Sequence, residues 1–173
     1  MARPNRTCLI NTKTSAIESA MRNSKPTLGP YRESLAGTLL AAREAVMAPI
    51  RPMLRDANVT EQQWRVLRVL AEHESLDARS IASSALLHAP SVTRILKELL
   101  DRGLIERTVD PTDSRRSIVS ISAAGRTLVK LTARHTVQVI ESYSRTFGPE
   151  RLTALRQELS AFIEAIADLT PRE

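Results

Sequence analysis

The chemistry this sequence can offer is mostly guanidinium chemistry. Only four of its 25 basic side chains are lysines (13, 25, 97 and 130). An arginine presents a planar fork that fits phosphate oxygens, carboxylates and base edges better than an ammonium does. Two stretches place arginines at informative intervals. In APSVTRILKELLDRG (89–103), Ser91, Thr93, Arg94 and Lys97 stand among apolar residues spaced as on one face of a helix. In DPTDSRRSIVSIS (110–122), Asp113 precedes Arg115 by two residues and Arg116 follows. Val119 and Ile121 then alternate with serines, the period of a half-buried strand.

What other chemistries require is missing. The chain has three histidines (73, 88 and 135) and one cysteine, with no nucleophile-elbow, phosphate-loop or zinc-protease motif. His73 beside Glu72 and Glu74 reads as a solvated helix end, and His135 as a residue at a helix interface or facing solvent. The expectation is no enzyme, no cofactor and no metal site. Cys8 has no second thiol to pair with, which points to a cytoplasmic location, and its place near the N-terminus argues against thiol sensing. No apolar run approaches the roughly 18 residues of a membrane span, and MARPNRTCLINTKTS lacks the apolar stretch of a secretory signal.

The elements that carry the two arginine stretches can be read from caps and periods. Residues 1–30 show no apolar period, end in the breaker cluster KPTLGP, and read as a flexible basic arm. A helical pattern starts at Tyr31 (Leu35, Leu39, Ala42, Val46, Ile50, Met53, Leu54), with a kink expected at Pro49 and Pro52. VTEQQW (59–64) carries a capping box, Thr60 with Gln63, and a staple pair, Val59 with Trp64. The helix it opens runs to about His73. Asp77 caps a short helix to about Ala85. Another begins near Pro90 and ends before Gly103, with an expected buried stripe of Val92, Leu96, Leu99 and Leu100, and Ile95 on its flank. LIERTV (104–109) and SIVSIS (117–122) are two strands joined by the turn that carries Arg115. Two long helices close the chain, about 123–147 and then past Gly148-Pro149. In the second, Leu152, Leu155, Leu159, Phe162 and Ile166 recur at heptad spacing.

Three helices followed by a two-stranded hairpin make a winged helix-turn-helix, so the expected class is mainly α with a two-stranded β wing. A helix of this width fits the major groove of double-stranded DNA. Its inward stripe leaves Ser91, Thr93, Arg94 and Lys97 facing out. A hairpin tip beside it reaches the flanking minor groove, where Arg115 gains from the narrow A·T-rich groove. Asp113 can fix the rotamer of Arg115, and Arg116 can take a phosphate or pair with Asp110. The net charge is +6. Residues 1–30 hold five basic groups and one acidic group, so only +2 remains for the other 143 residues. Local placement, not bulk charge, must therefore carry DNA recognition. The rival reading is a helical interaction module that binds no DNA.

VTEQQWRVLRVLAEH (59–73) and SVTRILKELLDRGLIERTVDPTDSRRSIVSISAAG (91–125) resemble the MarR family of bacterial regulators, across about residues 35–168. LLAAREAVMAPIRPMLRDANVTEQQW (39–64) is similar to the branch that represses homoprotocatechuate degradation. Pro49 and the arm depart from the pattern. The resemblance implies a homodimer made by long N- and C-terminal dimerisation helices, and a pseudo-palindromic operator. The division it suggests is an arm (1–30), a dimerisation helix (31–57), a DNA-binding domain (58–122) and C-terminal dimerisation helices (123–168). The heptad seam offers a suitable apolar face, although a monomer could also cover it internally. The resemblance further implies repression of an aromatic-compound catabolic operon, relieved by a small aromatic carboxylate such as hydroxyphenylacetate, homoprotocatechuate or vanillate. Response to a redox, antibiotic or metal signal is the alternative. Candidate ligand residues are Arg43, Met47, Arg51, Trp64 and Arg68. Glu44, Glu61 and Glu72 are the competing partners for the arginines, since an unpaired buried charge is costly.

Overall fold

The structure is a computed structural model that describes residues 28–109 and 117–169. Asp113, Arg115 and Arg116, and all of the basic arm except 28–30, lie outside those residues. The chain divides into two compact units, the first ending at Ala45 and the second beginning at Val46. In chain order the elements are α1 (Leu35–Met47), α2 (Arg51–Asp56), α3 (Glu61–Ala71), β1 (Leu76–Asp77), α4 (Ala78–Ser84), α5 (Ala89–Asp101), β2 (Ile105–Val109), β3 (Ser117–Ile121), α6 (Ala123–Phe147) and α7 (Pro149–Ile166). The architecture is a mainly α winged helix-turn-helix with long terminal helices.

Local sequence rules account for most boundaries. Thr60 Oγ1 accepts from the Gln63 amide and the Gln63 side chain accepts from the Thr60 amide, so the expected capping box opens α3. Asp77 caps α4 by accepting from Ser80 N–H at 2.7 Å. Ser122 caps α6 and also donates to the Gly103 carbonyl at 2.7 Å, tying the end of α5 to the start of α6. Gly125 lies at this junction, where a Cβ would collide with the Leu104 carbonyl oxygen. Three helices, α2, α4 and α5, end in one motif, with a left-handed residue whose successor donates back into the last turn. Those residues are Asn58 (φ 52°), Leu86 (φ 53°) and Gly103 (φ 64°). Leucine is the costly choice there. Arg65 braces that turn by donating from one guanidinium nitrogen to the carbonyls of Ala85 and Leu86, at 3.1 and 3.0 Å.

Three readings need correction. The proline segment 48–52 does not kink one helix. It separates α1 from α2, because Pro49 and Pro52 lack the amides that would continue the ladder. The buried stripe of α5 is Val92, Ile95 and Leu99. Leu96 is half-buried and Leu100 is 39% exposed. At about 100° per residue, Leu100 lies some 80° round from Val92, at the edge of the stripe, whereas Ile95 falls inside it. The hairpin also gains a third strand: β1 pairs with β3, Leu76 opposite Val119, in the order β1-β3-β2. Two residues are too few to show a period.

The core gathers α2–α6 and the sheet around Val66, Leu67, Leu70, Ile81, Val92 and Leu99, each at most 1% exposed. α3 packs on α6, α4 on α5, and α5 on β2. The inner face of α5 is thereby fixed, and with it the direction its outer face must point.

Candidate nucleic-acid interface

Ser91, Thr93, Arg94 and Lys97 are all exposed on α5, opposite the stripe that anchors it. Thr93 and Lys97 share a groove of about 240 Å³ with Arg107 and Ser117 of the hairpin, floored by Leu96, Ile105 and Val119. The edge of α5 that carries Thr93 and Lys97 therefore opens to the same side as the hairpin strands. β2 and β3 pair in register from Ile105 opposite Ile121 to Val109 opposite Ser117. The segment 110–116 that would carry Arg115 is joined to the far end of this ladder.

Arg94 does not stand alone. Its NH1 lies 2.8 Å from Glu98 Oε1, one turn on. The other oxygen of Glu98 accepts from Gln63 Nε2 at 2.8 Å. Spacing made Arg94 visible in the sequence but hid Gln63 and Glu98, which are brought together from positions 35 apart. Arg107 was also missed. It is an exposed strand residue whose guanidinium donates to Ser117 across the hairpin, and it lies on the same strand face as the inward Ile105, so alternation did not mark it.

The ligand candidates separate into different settings. Trp64 is 5% exposed and its indole N–H donates to Thr132 Oγ1 at 3.3 Å. The Arg68 guanidinium sits 5.1 Å from the centroid of the same ring. Both line a cleft of about 150 Å³ with Val129, Thr132, Thr136 and Ile140. Thr132 and Thr136 are buried, one turn apart on α6; in the sequence they are two polar residues of a long helix, and nothing local marks them. Arg51 pairs with Glu61 at 2.6 Å, and Arg43 with Glu44 at 2.7 Å on exposed α1. Met47 is half-buried against the core. The structure thus brings Trp64 and Arg68 into one cleft and gives Arg43 and Arg51 carboxylate partners from their own chain.

α7 carries the expected seam but buries no residue. Leu155 and Leu159 are exposed, while Leu152, Phe162 and Ile166 are half-covered. Among the described residues, no helix is long and apolar enough to cross a membrane, and no group of three metal-ligating side chains is found.

Comparison with known proteins agrees with this geometry. The model of the MarR family matches residues 59–117, from the staple of α3 to the start of β3. The homoprotocatechuate degradative operon repressor of Escherichia coli is 37% identical over 134 residues, covering 76% of this chain and 88% of that protein. The transcriptional regulator FarR of Neisseria gonorrhoeae is 34% identical over 122 residues, covering 70% and 84%. Among solved structures, NadR in complex with 4-hydroxyphenylacetate superposes with a TM-score of 0.68 at 33% identity, over 80% of this chain and 97% of that one. The first two of these relatives are regulators of transcription by name.

Proposed function

The chain belongs to the MarR family of DNA-binding transcriptional regulators and is not an enzyme; from that premise we propose a cytoplasmic homodimeric repressor of an aromatic-compound catabolic operon, released from a pseudo-palindromic operator by a small aromatic carboxylate. In this reading residues 58–122 are the DNA-binding domain, and 31–57 with 123–168 form the dimer. The observation that carries it is the groove that Thr93 and Lys97 of α5 share with Arg107 and Ser117 of the hairpin. Ser91, Thr93, Arg94 and Lys97 enter the major groove. Arg115, oriented by Asp113, enters the flanking minor groove, and Arg116 takes a phosphate.

The ligand class is supported by the 4-hydroxyphenylacetate bound by NadR and by the operon named for the Escherichia coli repressor. In this chain the cleft of Trp64 and Arg68 best fits such a molecule: a cation for the carboxylate beside an apolar wall for the ring. Arg43, Met47 and Arg51 are secondary candidates. The ligand acts by binding better to a dimer whose reading heads are wrongly spaced, since only differential affinity shifts an equilibrium.

The test is a titration of the protein on DNA from upstream of its own gene, with hydroxylated benzoates, phenylacetates and cinnamates. One phenolic acid should release the DNA, and Arg68→Ala should raise the concentration needed by about tenfold or more, the loss of one charge-assisted contact. Arg43→Ala and Arg51→Ala are run beside it. An unchanged release concentration in all three variants would overturn the pocket. DNA affinity that does not fall with salt would overturn the operator reading.

A further inference from the structure

Glu98 occupies an unusual position for an acidic residue. It projects from the face of α5 that meets the duplex, where a negative charge opposes phosphate, yet it is held in place. Gln63, 6% exposed, fixes it. The Gln63 carbonyl oxygen accepts from the Thr60 amide at 3.1 Å and lies 3.5 Å from an Arg102 guanidinium nitrogen. Reversing the amide would set its NH2 against the Thr60 N–H and its oxygen against the Glu98 carboxylate, two repulsions at once. The Gln63 nitrogen must therefore face Glu98, to which it donates at 2.8 Å. The remaining carboxylate oxygen holds Arg94 at 2.8 Å. A free surface pair one helical turn apart would wander among rotamers; this one is anchored at its acidic end to the cap of α3. The Arg94 side chain is 76% exposed, so the rest of its fork stays open.

We propose that Glu98 is a specificity-determining positioning residue, which holds the Arg94 guanidinium in one plane and keeps a fixed negative charge beside it. This rests on the reading of Arg94 as a base contact. Two consequences follow from the geometry. A base edge can use the N–H groups that Glu98 leaves open, and finds them already ordered, which lowers the entropic cost of the cognate complex. A phosphate gains less, because the anchored carboxylate half-neutralises Arg94 and repels the incoming charge.

The test uses the full-length protein and two duplexes of equal length and composition: one selected by the wild type from a randomised pool, and one shuffled. Glu98→Gln is the informative variant, because it keeps the shape and an acceptor for Gln63 while removing the charge. Thermal unfolding confirms that it folds, and Glu98→Ala is the second variant. Both should tighten binding to the shuffled duplex and lower the selected-to-shuffled ratio by about tenfold, the lower end of what one bidentate base contact discriminates. In an Arg94→Ala background the same change should move the ratio less than about twofold, because coupled residues fail additivity. If Arg94→Ala leaves the ratio unchanged, the base-reading role of Arg94 falls. If Arg94→Ala lowers the ratio but Glu98→Gln does not, or does so equally without Arg94, the role of Glu98 is overturned.

Discussion

Helices α5 and α7 are both amphipathic, and they dispose of their apolar faces in opposite ways. α5 buries Val92, Ile95 and Leu99 against its own chain, and presents Ser91, Thr93, Arg94 and Lys97 outward. α7 repeats leucines at heptad spacing, yet Leu155 and Leu159 remain 44% and 36% exposed. Exposed apolar residues also lie along α6, at Leu131, Val137 and Ile140. The difference teaches what each sequence pattern is for. The stripe of α5 orients a polar face, and the seam of α7 is the face that the proposed dimer would cover. A second copy of the chain is the partner that the proposed function requires.

Breaking the covered face should have the largest effect. Leu99 is fully buried where α5 meets the core, so Leu99→Ala should cost roughly 2–5 kcal/mol of stability. Denaturant unfolding reads this directly, and a cost below about 1 kcal/mol would mean α5 is not held by its stripe. The matching change on α7 should behave differently. Leu155→Glu with Leu159→Glu removes nothing buried within one chain, so the chain should stay folded. Sedimentation should show half the wild-type mass, and operator affinity should fall on the order of a hundredfold as the paired half-sites uncouple. A double variant that still sediments as a dimer would place the dimer elsewhere.

The same contrast explains what could be read from the sequence. Caps and periods act over a few residues, so the boundaries of α3, α4 and α5 were legible from Thr60, Asp77 and Pro90, whereas Ser122, read as the end of a strand, is the cap of α6. The outward set on α5 followed from its stripe, even though the centre of that stripe lies about 50° further from Leu100 than expected. What escaped depends on contacts between distant segments. β1 exists because β3 offers an edge to Leu76, not because of its own pattern. Gln63 was legible as half of a capping box but not as the buried support of Glu98. The cleft beside Trp64 is completed by Thr132 and Thr136, some 70 residues later in the chain, and local spacing carries no information over that range.

A smaller effect is expected where the capping box supports the reading helix. Thr60→Ala removes the side-chain acceptor for the Gln63 amide and should cost about 1 kcal/mol, the usual value of such a cap. The sharper measurement is hydrogen exchange at the Gln63 amide, which should lose protection ahead of the amides at the far end of α3. Uniform loss along the whole helix would mean that the box does not act locally.

The smallest effect lies on α6, between the covered and uncovered regions. Tyr143 is half-buried there and donates its hydroxyl to the Val46 carbonyl at 2.7 Å, while His135 approaches the Pro49 carbonyl at 3.2 Å. Both hold the segment on which α1 breaks. Burial raises the Tyr143 phenol above its ordinary value near 10, because the phenolate would lose water. The folded chain therefore favours the protonated form. The stability this confers is fully present below the unfolded value, and is lost as pH rises through the higher folded one. At neutral pH, Tyr143→Phe should cost about 0.5–1 kcal/mol for the hydrogen bond. That deficit should shrink as pH rises past 10, because the wild type then pays to keep Tyr143 protonated while the variant has no proton to lose. Urea midpoints for both proteins across pH 7 to 11 decide it. A gap of constant size across that range would mean that Tyr143 ionises as freely in the folded chain as in the unfolded one, and that α6 does not shield it.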